Sequence, residues 1–199
     1  LHAHTADSDG MGTVAEAFAQ AATAGLDFFA VTDHSDSFDN DKVGSLTDAG
    51  VSEIWISGKA AAAAATKEDF VALYGFEMSW NQGQGHISTF NTPGFLSRDQ
   101  EAYEKYKDGM EAYFGALLEV PGSVSQFNHP GTVYGDFRNF SEYSPQYDTS
   151  VHLLEVGGEG SFTAYDAYTT ALDAGWHLAP SISENNHRGN WGNDSDSRT

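Results

Sequence analysis

The chain has 199 residues, with 9 Lys+Arg against 29 Asp+Glu, a net charge of −20 and no cysteine. That length suits one domain with a real core, and 40% apolar residues with 13% aromatics exclude a disordered chain. The charge repels phosphate backbones and anionic bilayers, so neither nucleic acid nor a membrane is expected as a partner, and the missing thiols exclude disulfide scaffolds, cysteine zinc sites and cysteine nucleophiles. In chain order, the Thr13-x-x-Glu16 capping box opens a helix carrying Val14, Ala17, Phe18, Ala21 and Ala22 on one face, with Gly25 at its end. LDFFAVT (26–32) reads as a buried strand, followed by a polar loop over 33–50 and a helix over 52–66 that contains the poly-Ala run 60–65. FVALYGFEM (70–78) reads as one buried strand and HISTFN (86–91) as another. Tyr103, Tyr106, Met110, Phe114 and Leu117 mark an amphipathic helix. VSQFN (124–128) and VHLLEV (151–156) are strands, 163–174 a helix closed by Gly175, and HLAPSIS (177–183) a strand. No signal-peptide pattern or membrane span is read in these residues, and a start at Leu1 suggests a single domain, 1–199, excised from a longer chain that could carry further domains.

Alternating strands and helices predict a mainly parallel α/β sheet. Periodicity alone does not separate a barrel from an open sheet. Polar residues at strand ends favour a barrel: Asp33 and His34, Glu77, Asn128 and His129, Glu155, and His187. In parallel barrels such ends converge on one face.

The histidines carry the chemistry. In an extended segment, His2-Ala3-His4 puts both imidazoles on one side, close enough to share a metal. Asp9 lies in a Ser-Asp-Gly turn, His34 at a strand terminus, His86 after Gly83-Gln84-Gly85, His129 before Pro130-Gly131, and His187 after HLAPSIS. Glu77, inside an apolar run, needs a buried partner. Imidazoles and carboxylates together suit Zn, Mn or Fe, and one bridging carboxylate can hold two ions. His152 and His177 read instead as core or supporting residues. Trp80, Tyr134, Phe137, Phe140 and Tyr143 are aromatic loop residues that could stack on an organic substrate or pack the loop. Asp36, Asp39 and Asp41 read as a solvated acidic loop, since the Gly and Glu of an EF-hand are missing. A glycosidase pair, Glu77 with Glu155, leaves the strand-end histidines unexplained, and no G-x-S-x-G elbow supports a serine hydrolase.

The runs LHAHTADSDG, LDFFAVTDHS, GFEMSW, GHISTFNT, FNHPG and NNHRGNWG resemble the PHP (polymerase and histidinol phosphatase) superfamily, in its carbaryl-hydrolase-like metallohydrolase branch. The resemblance implies a distorted (β/α)7 TIM-like barrel, with closure left incomplete at the C-terminus of this chain. It implies two to three divalent transition-metal ions. A first would take His2, His4, Glu77 and Asn185. A second would take Glu77, as the bridge, with His86 and His129. A third would take Asp9, His34 and His187. The family pattern is Asp-x-His where this chain has Asn185-Asn186-His187, and a neutral amide is a weaker ligand than a carboxylate. The implied activity is a metal-dependent hydrolase acting through a metal-bridged hydroxide on a small-molecule phosphoester, with His34, His129 or His187 protonating the leaving group. A carbamate, ester or amide substrate, or a degenerate metal-holding binding domain, is the alternative. The family's habits and the acidic composition imply a secreted or cell-surface bacterial protein.

Overall fold

The computed structural model describes residues 1–80, 83–104, 106–158, 163–183 and 185–192. Helix α1 (Val14–Thr23) starts at the expected capping box: Glu16 N–H donates to Thr13 Oγ1 at 3.2 Å, and Thr13 N–H donates to Glu16 Oε2 at 2.8 Å. Helix α2 (Glu53–Ala65) is capped by Ser52, whose hydroxyl takes the Trp55 N–H at 3.0 Å. Asp39 extends this cap, accepting the N–H groups of Glu53 and Ile54 at 2.9 and 3.0 Å. Asp36 pairs with Arg98. The acidic loop is therefore a capping and pairing element, not merely a solvated one. Helices α3 (Tyr106–Leu117) and α4 (Tyr165–Ala174) follow, the latter ending at Gly175.

The strands are β1 (Phe28–Val31), β2 (Val71–Tyr74), β3 (Phe76–Trp80), β4 (Gly85–Phe90), β5 (Val124–Asn128), β6 (Val151–Gly158) and β7 (Ala179–Ser183). The segment expected as one strand over 70–78 breaks at Gly75. A Cβ there would lie 2.4 Å from the Thr89 carbonyl oxygen, so only glycine allows the chain to pass from one sheet to the other. β1 and β2 form a parallel pair, and β3-β4-β5-β6-β7 form a five-stranded sheet.

That sheet is mixed rather than mainly parallel. β4 runs antiparallel to both neighbours, whereas β5-β6 and β6-β7 are parallel. Four residues separate Trp80 from Gly85, too few for a parallel crossover, so β3 and β4 pair as a hairpin. The reversal has a functional consequence. His86 stands at the start of its strand yet pairs in register with Asn128, at the end of β5. It thereby reaches the same face as the residues that end the other strands.

Among the described residues the ladders do not close into a barrel. Single bridges, Ala3 to Asn186 and His34 to Glu77, join the two sheets' edges. The Ala3 carbonyl accepts the Thr32 N–H at 2.8 Å, and His4 N–H donates to the Asn186 carbonyl at 2.9 Å. Leu1–Thr5 is thus a bridging segment rather than a laddered strand. The core packs Trp55, Phe76 and Phe95 on one side and Phe114, Phe127, Phe140 and Trp176 on the other. Among the described residues no helix is long and apolar enough to cross a membrane.

Candidate metal centre

Glu77 is fully buried in β3, and five imidazoles surround its carboxylate. His2 Nε2 lies 3.0 Å and His129 Nε2 3.6 Å from Oε1, while His34 Nδ1, His86 Nδ1 and His4 Nε2 lie 2.7, 3.5 and 3.9 Å from Oε2. Two neutral donors complete the ring: Asn128 Nδ2 donates to Oε1 at 2.6 Å and Ser79 Oγ donates to Oε2 at 2.9 Å. His2 and His4 do share one side of their extended segment, with their Nε2 atoms 3.1 Å apart.

Asn128 and His129 are consecutive, and alternation along a strand should send them to opposite faces. Both reach Glu77 because His129 has φ +27°, which turns it back toward the centre. Glu155 braces this geometry. Its Oε2 accepts the His129 backbone N–H at 2.8 Å and lies 3.3 Å from His2 Nδ1. Glu155, Asn128 and Ser79 are absent from the sequence-derived site. A carboxylate inside the apolar run VHLLEV was the available signal, since a buried charge needs a partner.

Asp9, His34 and His187 form the open side, with the buried His4 behind them. Asp9 Oδ1 lies 3.2 Å from His187 Nε2 and 3.6 Å from His34 Nε2, and the His4 and His187 rings stack at 4.0 Å. His187 Nδ1 faces the Asn185 carbonyl at 2.8 Å, which leaves Nε2 for Asp9. His152 and His177 stand outside. Both are exposed, and His177, 82% accessible at its side chain, pairs with Asp148 at 2.8 Å. The expectation that they support the core is therefore incorrect: each lies on a surface turned away from it.

The electrostatics follow from burial and crowding. Burial would push the Glu77 carboxyl up, but the His2 and His86 imidazoles, with hydrogen bonds from His129 and His2, hold it well below the usual carboxylate range. Burial pushes His2 down, yet Glu77 and Glu155 on either side raise it to about 9. His4 is driven well below its ordinary value, by burial first and then by the neighbouring His2, His34 and His187. Burial also lowers His129, whereas Glu77 and Asp9 outweigh burial at His34 and raise it.

The donor atoms fall into three overlapping groups: His2, His4 and Glu77; Glu77, His86 and His129; and His4, Asp9, His34 and His187. Within each, one atom per residue lies within 4.8 Å of the others. Three buried polar atoms of the expected ligand residues, His86 Nδ1, His129 Nδ1 and Asn185 Oδ1, have no hydrogen-bond partner. Such orphans are costly unless an ion engages them. Imidazole and carboxylate donors fit divalent transition ions, and the residues present therefore fit the implied group.

Neither a family model nor a curated protein sequence matches the chain. Solved structures do. A two-domain protein of Bacteroides vulgatus, containing a predicted PHP-like metal-dependent phosphoesterase, superposes with a TM-score of 0.55 at 19% identity over 94% of this chain. The chain spans only 51% of that protein's length. A Bifidobacterium adolescentis protein, assigned by inference as a metal-dependent phosphoesterase, gives a TM-score of 0.54 at 16% identity, covering 100% of this chain and 91% of that one. A Chromobacterium violaceum amidohydrolase with bound sulfate and no metal gives 0.55 at 16% identity, covering 98% and 88%. At these identities the likeness is one of fold: a mixed α/β architecture shared with PHP-like metal hydrolases.

Proposed function

We propose that the chain is a metal-dependent hydrolase of small phosphoesters, built as a PHP-type (β/α)7 barrel variant and holding two to three divalent ions. One observation carries this reading: the Nε2 atoms of His2 and His4 face each other at 3.1 Å over a buried carboxylate ringed by five imidazoles. Such a cluster is favourable only with protons or cations between its members. In this reading His2, His4, Glu77 and Asn185 hold one ion, Glu77, His86 and His129 a second, and Asp9, His34 and His187 a third. When bound, the ions activate water and stabilise negative charge on the substrate's oxygens.

The chain's own residues supply the rest. Asn128 and Ser79 hold both Glu77 oxygens in place, and Glu155 sets the orientation of His2 and the backbone of His129. His2, His4 and Glu77 are themselves shut off from solvent, whereas His34, His86 and His187 border it. Of the three candidate proton donors, His187 is the most exposed, ahead of His34 and His129. Its Nε2, 3.2 Å from Asp9 Oδ1, can pass a proton to the leaving oxygen only when the third ion is not bound, since Nδ1 is turned to the Asn185 carbonyl.

A second reading, hydrolysis of a carbamate, ester or amide at the same site, is favoured by the likeness to the C. violaceum amidohydrolase and by the resemblance to the carbaryl-hydrolase branch. Turnover of p-nitrophenyl phosphate and p-nitrophenyl acetate by protein loaded with Mn, Zn or Fe separates the two. Phosphate release abolished by Glu77→Gln supports the first reading. Acetate release alone favours the second, and no release of either supports a metal-holding binding domain.

A further inference from the structure

Five aromatic loop residues stand near the site in sequence, and the fold commits four of them elsewhere. Trp80, Phe137 and Phe140 are buried in the core, and Tyr143 packs on Trp176 with ring centroids 5.7 Å apart. Tyr134 stays 45% exposed. Its ring centroid lies 4.5 Å from that of His129 and 5.2 Å from that of His86, the two imidazoles grouped with Glu77. Val133 beside it is 77% exposed.

The loop that carries Tyr134 is held firmly at its base. Gly131 and Gly135 exchange both backbone hydrogen bonds at 2.9 Å. Gly135 is pressed against the segment before β4, where a Cβ would lie 2.3 Å from the Gly83 carbonyl oxygen. The chain then enters a left-handed turn, Phe137–Phe140, with four successive positive φ values of 53–58°. Each such residue costs about 1–2 kcal/mol. Burial of Phe137 and Phe140 against Phe127, and the Trp176 Nε1–H donated to the Phe140 carbonyl at 2.9 Å, hold the turn in place. A half-exposed ring on so constrained a loop is pre-organised for a partner and is not a loose surface residue.

We infer that Tyr134 is a stacking platform that selects phosphoesters whose alcohol carries a planar ring, an aryl or nucleoside group. This rests on the phosphoester reading above. A phosphoryl group held by the Glu77, His86 and His129 group has its ester substituent within reach of the Tyr134 face, which offers aromatic area without adding negative charge to a chain already at −20. The test uses manganese-loaded protein and two non-hydrolysable probes, phenylphosphonate and methylphosphonate, with affinities read by calorimetry. Wild type binds the phenyl probe more tightly. Tyr134→Ala weakens phenylphosphonate by roughly threefold to tenfold and leaves methylphosphonate unchanged, while Tyr134→Phe keeps the wild-type preference. Equal weakening of both probes, or of neither, overturns the platform and leaves the phosphoester reading standing. Failure of both probes to bind loaded wild type overturns that reading, and the platform with it.

Discussion

Glu155 meets His2 from the side opposite Glu77: its Oε2 lies 3.3 Å from His2 Nδ1, while His2 Nε2 lies 3.0 Å from Glu77 Oε1. A carboxylate at Nδ1 directs the Nε2 lone pair to the centre, as carboxylate partners of metal-binding imidazoles do. Because Oε2 also takes the His129 N–H, one side chain on β6 controls ligands of two donor groups. Glu155→Gln keeps the shape and an acceptor but removes the charge. Metal affinity should fall about 10- to 100-fold in a chelator-competition titration. Unchanged affinity would mean that Glu155 serves packing alone.

Glu77→Gln should be the most damaging single change to metal content, since among the described residues it strips charge from the one carboxylate shared by two of the donor groups. Elemental analysis of the purified variants checks this against each His→Ala change in the cluster. His152→Ala and His177→Ala, on exposed surface, should retain full metal content. Equal loss in those two would break the separation between the cluster and the peripheral histidines.

Removing metal should destabilise the protein, because ions bind the native cluster and not the dispersed ligands of the unfolded chain. Free ion at a hundred times its Kd contributes about 2.7 kcal/mol. For a chain of 199 residues that corresponds to a Tm lower by roughly 5–10 °C after chelation. A scanning-calorimetry trace that ignores both EDTA and added Mn, Zn or Fe contradicts metal binding.

The pH dependence should change sign with loading. In metal-free protein, His2 rises from 6.5 to about 9 and His34 is also raised, so both contributions are full below pH 6.5; that of His2 is lost as pH climbs toward 9, and that of His34 is lost as pH rises too. His4 and His129 are lowered, so their contributions are lost as pH falls below 6.5. Metal-free stability should therefore peak near pH 6.5. Metal needs the neutral imidazole, so the loaded protein should gain stability from pH 6.5 to 9. Urea midpoints at the two pH values, with chelator and with manganese, test for opposite slopes.

Asn185 combines a buried, unpartnered Oδ1 with φ +44°. A carboxylate there attracts a dication more strongly than an amide does. Asn185→Asp should tighten the weakest ion and raise turnover, as followed by metal titration and rate on one substrate. Equal occupancy with an equal or lower rate would make the amide a neutral feature of this site.

Much of this protein is legible along the chain because the signals are local. The Thr13/Glu16 capping box depends on neighbours three residues apart, and the His2/His4 pair on a period of two. His34, Glu77, His129 and His187 were visible because polar groups interrupt apolar runs only where something pairs with them, although Glu77 stands second in β3 and not at a strand end. Tertiary structure alone decided what depends on strand direction and on partners far away in sequence. The antiparallel insertion of β4, forced by a short connection, brings His86 to the common face from the wrong end of its strand. The break at Gly75 is set by the Thr89 carbonyl oxygen, and the role of Glu155 by a backbone N–H 26 residues away. The same holds for the aromatic loop: the neighbours of Trp80, Phe137, Phe140 and Tyr143 drew them inward, and Tyr134 was left facing the imidazoles because burial is a property of the assembled core, not of the residue.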